Sequence, residues 1–243
     1  MKFKKGKFLL GAAALMAVAS TVSYAELVIQ GTRVIYPSDA REITLQLDNT
    51  GGTPSLIQAW IDNGDEKITP DQSTVPFMIT PPISRIEPKK SQTLRITALP
   101  NASQFDQKQE TVLWLNVIDI PPKPESVNET AVPENYIQLA VRSRIKFFYR
   151  PAALVKDAFE APEKIQWIKS ADKLVIKNPT PYHITVNSIL QKDGSKSLDL
   201  LSESLMLKPF SEHSVPFKNN NLNDMSFVNI NDYGGHAEYK IKL

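Results

Sequence analysis

From residue 26 to about residue 151 the chain is made of short segments in which apolar and polar residues alternate, each closed by Pro, Gly, Asn or Asp. Alternation with period two sends successive side chains to opposite faces of an extended strand, and frequent turn residues keep such strands short and antiparallel. Ile43, Leu45 and Leu47 alternate with Thr44, Gln46 and Asp48; the turn Asn49-Thr50-Gly51-Gly52 follows, and then residues 56–61. This arrangement predicts a pair of strands joined by a turn. Residues 77–79, 94–97 and 112–118 continue the pattern. With an opening segment at 27–36 and a long one at 136–149, they make about seven strands, the number of an immunoglobulin-like sandwich.

Arg150-Pro151-Ala152-Ala153 ends the longest segment, and a second series of β segments begins there, at 174–176, 184–186, 205–207, 227–230 and 239–243. Asn178-Pro179-Thr180-Pro181 and Asn231-Asp232-Tyr233-Gly234-Gly235 read as turns. The expected organisation is therefore all-β, with two immunoglobulin-like β-sandwich domains at 26–150 and 151–243. The proline-bearing stretch 121–134 has no periodicity and reads as a loop inside the first domain. Helical periodicity and internal repeats are absent from the sequence.

Residues 1–25 have a different character. Lys2, Lys4, Lys5 and Lys7 precede an apolar run at 8–22, and Ser23-Tyr24-Ala25 supplies small residues for cleavage. That order describes a secretory signal peptide cut after Ala25, because the run is shorter than the ~20 residues a membrane-spanning helix needs. Of 28 basic residues four lie in this leader, leaving 24 against 26 acidic ones. Charge therefore gives no support to nucleic-acid binding, and no later segment suggests membrane insertion. The absence of cysteine excludes a disulfide framework, thiolate catalysis and cysteine-ligated zinc.

The three histidines, His183, His213 and His236, have no companion at metal-ligand spacing, and neither HExxH nor GxSxG occurs. No metal and no cofactor are expected, and enzymatic activity has no support from motifs, although a pair of catalytic carboxylates leaves no mark in a sequence whose strands can bring any two together.

The segment least like an ordinary sandwich is 135–151, NYIQLAVRSRIKFFYRP. A strand over 135–149 would far exceed the usual length of about five or six residues. Ile137, Leu139 and Val141 share one face, continued after Ser143 by Ile145 and Phe147; Arg142, Arg144 and Lys146 share the other. One reading packs every apolar position in the core and leaves the basic ones solvated. A second places the strand at a sheet edge, offering Ile137, Leu139 and Val141 to a partner, since unpaired backbone groups are a template for another strand.

At this point the sequence resembles the periplasmic chaperones of the chaperone–usher pilus pathway, along nearly all of its mature length. Residues 31–37, GTRVIYP, are similar to the family's first strand; QAWI at 58–61 and Thr80-Pro81-Pro82 are similar to its third and fourth. Gln109-Glu110-Thr111 with Trp114, Asn116 and Asp119-Ile120-Pro121-Pro122 resembles the family signature, and residues 144–151 resemble the end of its subunit-binding strand. Residues 178–182 and 231–235 match the second domain. Lys108-Gln109 departs from the acidic-then-basic pair that many relatives carry before this glutamate.

The resemblance implies two domains set at an angle with a cleft between them. It implies that Arg33 and Lys146 hold the carboxylate at a pilus subunit's C-terminus, and that Ile137, Leu139 and Val141 are the apolar residues of a donor strand. Glu110, Arg150 and Asp232 correspond to an ionic cluster that fixes the interdomain angle. The loop 121–134 corresponds to one facing the usher and the subunit. The implied partners are pilus subunits and an outer-membrane usher, the implied compartment is the periplasm, and an exposed edge would also allow self-association of the free protein. A pilus subunit or adhesin is the second reading and a periplasmic hydrolase the third. The former would carry a donor extension and often a cysteine pair, the latter a nucleophile–base or two-carboxylate site, and the sequence displays none of these.

Overall fold

The computed structural model describes residues 27–123, 137–193, 196–217 and 224–242. The leader with its cleavage site, and most of the loop at 121–134, lie outside the described residues.

Among the described residues the first sandwich contains nine strands: β1 (Leu27–Ile29), β2 (Arg33–Pro37), β3 (Ile43–Asn49), β4 (Ser55–Asp62), β5 (Phe77–Thr80), β6 (Ile83–Ile86), β7 (Ser91–Ala98), β8 (Thr111–Ile120) and β9 (Val141–Arg150). One sheet has the order β1-β3-β7-β5 and the other β2-β9-β8-β4-β6. The opening segment at 27–36 is thus two strands in two different sheets. Gly31, at φ +126°, makes the crossing, in a backbone region that only glycine enters without strain. The crossing delivers β2 parallel to β9, while every other pairing in this sandwich is antiparallel.

The inward faces meet around Tyr36, Phe77 and Phe147, with ring centroids 5.3 Å apart for Tyr36–Phe77 and 4.8 Å for Phe77–Phe147. Tyr36 also ties the loop after β2 to β7: its hydroxyl donates to the Ala40 carbonyl at 3.0 Å and accepts from the Ala98 N–H at 3.0 Å. A buried phenol with both functions satisfied keeps its packing energy without a desolvation cost.

The second sandwich follows with β10 (Gln166–Ser170), β11 (Lys173–Lys177), β12 (Ile184–Asp193), β13 (Lys196–Asp199), β14 (Leu205–Leu207), β15 (Glu212–Pro216), β16 (Met225–Ile230) and β17 (His236–Lys240). Its sheets are β10-β11-β15 and β13-β12-β16-β17, with β14 also pairing β12. Trp167, Phe227 and Tyr239 stack through its core, separate from that of the first sandwich.

Several short polar strands, β6, β10, β13 and β15, carry too few apolar residues for periodicity to reveal them. The last strand, expected at 239–243, lies at 236–240: it starts directly after the turn at 231–235, and Leu243 lies outside the described residues. That turn is built on Asn231, whose Oδ1 accepts from the N–H groups of Tyr233 at 3.0 Å and Gly235 at 2.9 Å.

Candidate functional site

The parallel pairing of β2 with β9 places Arg33 directly opposite Lys146, at the seam of the two sandwiches. Arg33 Nη1 donates to the Ile230 carbonyl at 2.9 Å, and Lys146 Nζ lies 3.4 Å from Thr185 Oγ1, both acceptors belonging to the second sandwich. Thr32, Trp114, Arg144, Ile230, Gly234 and His236 are among the other residues that line the cleft. Gly234 (φ +80°) presses so closely on Thr32 that a methyl group there would strike the threonine hydroxyl. Only glycine allows this turn to close on the cleft.

Neither cation forms an ion pair among the described residues, and the buried Nε of Arg33 has no hydrogen-bond partner. Burial pushes the Arg33 guanidinium below its ordinary pKa, with Asp232 and Glu110 pulling the other way. Burial also pushes the Lys146 ammonium down, and the charge of Arg33 pushes it further. Two like charges held together and partly desolvated form a site that a carboxylate would relieve, through charge-assisted hydrogen bonds.

From this cleft β9 runs back along the first sandwich. Its residues 146–149 are paired on both sides, by β2 and β8, and Arg150 by β2, whereas 141–145 are paired by β8 alone. The second edge of this half-strand has no partner among the described residues. The strand begins at Val141, so the fifteen-residue strand expected over 135–149 is a ten-residue strand at 141–150. The register explains the difference. Val141 pairs with Asp119, so residue 139 would have to pair with Pro121, which has no N–H to donate. Ile137 and Leu139 therefore precede the strand, 87% and 71% exposed, and Val141 opens it at 62%. Asn135 and Tyr136 lie outside the described residues.

Glu110, Arg150 and Asp232 are brought together. Arg150 Nε donates to Glu110 Oε1 at 2.6 Å, and its Nη1 and Nη2 grip both oxygens of Asp232 at 2.6 and 2.9 Å. Glu110 Oε2 accepts the N–H of His183 at 2.8 Å, and the Glu110 N–H donates to the Pro181 carbonyl at 2.9 Å. The cluster thus links the end of β9 to two turns of the second sandwich. Burial would lower the Arg150 pKa, but Asp232 and Glu110 outweigh it and raise it.

A second cluster was not recognised from sequence. On the outer face of the sheet Arg144 Nη2 donates to Asp62 Oδ1 at 2.8 Å, and its guanidinium lies 4.2 Å from the Trp114 ring centroid. Arg142 donates from Nε and Nη2 to Asn116 Oδ1 at 2.9 and 2.6 Å, and covers Trp60 at 4.7 Å. Asp62 and Asn116 are wholly buried beneath them. The reading of these arginines as solvated is therefore corrected: the aromatic rings and the buried polar pair hold them against the sheet. The signal lay in period two, since Trp60 with Asp62 and Trp114 with Asn116 share the face of Arg142 and Arg144.

Among the described residues no group of three or more histidines and carboxylates converges as a metal site would require, and no helix is long and apolar enough to cross a membrane.

Residues 26–155 match the family described as pili and flagellar-assembly chaperone, PapD N-terminal domain, and residues 160–241 match the pili assembly chaperone PapD, C-terminal domain. The chain is 43% identical over 220 residues to chaperone protein MrkB of Klebsiella pneumoniae, covering 89% of this chain and 91% of that protein. It is 38% identical over 234 residues to the probable fimbrial chaperone YadV of Escherichia coli (strain K12), covering 92% of each. Among solved structures, the CupB2 chaperone of Pseudomonas aeruginosa is similar at a TM-score of 0.74 and 33% identity, over 89% of this chain and 100% of that one.

Proposed function

The chain belongs to the family of pilus-assembly chaperones, and from that premise we propose that it acts in the periplasm by strand donation, as a binding protein with no catalytic step. A pilus subunit with an incomplete sheet lays its last strand along the free edge of β9, and its terminal carboxylate docks between Arg33 and Lys146. Ile137, Leu139 and Val141 fill the subunit's exposed core, β9 satisfies its unpaired backbone groups, and the outer-membrane usher later receives the subunit. Glu110, Arg150 and Asp232 hold the two sandwiches, at 26–150 and 151–243, so that the cleft keeps its shape.

One observation carries this reading. A buried, unpartnered guanidinium nitrogen on Arg33 stands beside a desolvated lysine, where β9 becomes an edge strand. A carboxylate supplies the missing acceptor, and a strand supplies the missing ladder.

The test is co-purification of the tagged mature protein from periplasm expressing a subunit, with mass spectrometry of the one-to-one partner. Recovery of a β-rich subunit that is lost with Lys146→Ala supports the reading; equal recovery by that variant removes the anchor from it.

A further inference from the structure

The outer face of β9 carries three cations at alternate positions, Arg142, Arg144 and Lys146. Their spacing is one strand repeat, about 6.7 Å per step. A strand pairing beside β9 can slip by one such repeat without turning any side chain to the wrong face, so the backbone ladder alone defines its register poorly. A chain-end carboxylate can settle the register only if a single cation along the face is free to receive it.

Arg144 would otherwise compete. It lines the same cleft as Arg33 and Lys146, and its planar fork suits a carboxylate better than an ammonium does. Asp62, at the end of β4, is wholly buried and occupies it: Oδ1 accepts from Arg144 Nη2 at 2.8 Å, and Oδ2 lies 3.6 Å from Arg142 Nη2; Glu66 Oε1 also meets Arg144 Nη1 at 3.3 Å, but that carboxylate is 77% exposed and screened by solvent. The carboxylate is fixed in turn by Asn116 Nδ2 at 2.7 Å and by the Gly64 N–H at 2.7 Å. Lys146, on the same face, has only a hydroxyl at 3.4 Å.

From this arrangement we propose that Asp62 is a register-setting residue: by occupying the guanidinium of Arg144 it leaves Lys146 and Arg33 as the one docking point for an incoming chain end. This inference rests on the carboxylate-anchoring reading above. Asp62 touches no subunit and acts through Arg144, so it is a positioning residue whose loss widens the set of registers rather than abolishing pairing.

The chain has no cysteine, so one introduced at the exposed Ala140 reports the register without background. The probes are two synthetic free-acid peptides of a co-purified subunit's last strand, with cysteines two residues apart. In the otherwise native protein one peptide is captured as a disulfide in preference to the other; with Asp62→Asn both are captured and the preference falls by about tenfold, the scale of one charge-assisted hydrogen bond. Asp62→Asn combined with Arg142→Gln, which removes one of two mutually repelling cations, has the same expected outcome. Retention of the single register in either folded variant overturns the proposal, as does failure of both to fold. Amidated peptides separate this claim from its premise: if capture by the Asp62-containing protein does not depend on the free carboxylate, the anchoring reading itself fails.

Discussion

Arg33 and Lys146 stand opposite each other in a parallel strand pair, with their charged groups at the seam of two sandwiches and without a carboxylate to separate them. The free protein therefore holds an electrostatic cost that a carboxylate docked between them would remove.

That cost has a sign that can be measured. Burial and Arg33 both depress the Lys146 pKa below its unfolded value. Below the depressed value the lysine is charged in both states, so its folded form carries the whole penalty, which is relieved only as pH rises through that value. Lys146→Met is expected to leave the free chaperone as stable as the native protein or more stable, by on the order of 1 kcal/mol, while losing subunit binding. Denaturant unfolding and a pull-down on the same variant check both halves.

Leu139 offers the opposite separation. It is 71% exposed and precedes the strand, so Leu139→Asp removes no packing from the free protein. Its unfolding free energy is expected to change by less than about 0.5 kcal/mol. Capture of a subunit by this variant is expected to fall by about tenfold or more, because a charge would enter an apolar groove. Unfolding curves and subunit titration of the purified variant give the two numbers.

The ionic cluster at the interdomain seam ranks its own substitutions. Glu110 has 1% of its side chain exposed and Asp232 24%. Glu110→Gln is expected to cost about 3 kcal/mol, as for breaking a buried pair from one side, and Asp232→Asn less. Small-angle scattering is expected to show a broader distribution of interdomain distances for Glu110→Gln than for the native protein.

Much of this was legible in the sequence. Alternation and turn residues were enough for the sandwich class, while only the resemblance pointed to Arg33 with Lys146 and to Glu110, Arg150 and Asp232, two sets that the structure brings together. The start of β9 was not legible, because strand length is decided by the partner: the missing N–H of Pro121 stops the ladder at a residue far from it in sequence. The Asp62 cluster was hidden for a related reason. Asp62, Asn116 and Arg144 lie on three strands, and their side-chain meeting depends on two registers at once. The split of residues 27–36 into two sheets rests on Gly31, whose positive φ has no signature apart from the glycine itself.

Asp62 also yields a pH dependence. Burial would raise its pKa, but hydrogen bonds from Arg144, Asn116 and the Gly64 N–H, with the charge of Arg144, outweigh burial and hold it below the ordinary range. A depressed carboxylate contributes stability that is complete above the unfolded value of about 3.9 and disappears as pH falls through the folded value. The stability difference between native protein and Asp62→Asn should thus be constant from about pH 7 to pH 5 and narrow below about pH 4. Urea denaturation across this range checks it.

The most direct test of the central claim compares two forms of one ligand, a synthetic peptide of a pilus subunit's last strand with a free C-terminal carboxylate or with an amide. If Arg33 and Lys146 anchor that carboxylate, amidation weakens binding to the native chaperone by about tenfold or more, and the two peptides bind alike once Lys146 is changed to Ala. Equal affinity of acid and amide for the native protein would contradict the account.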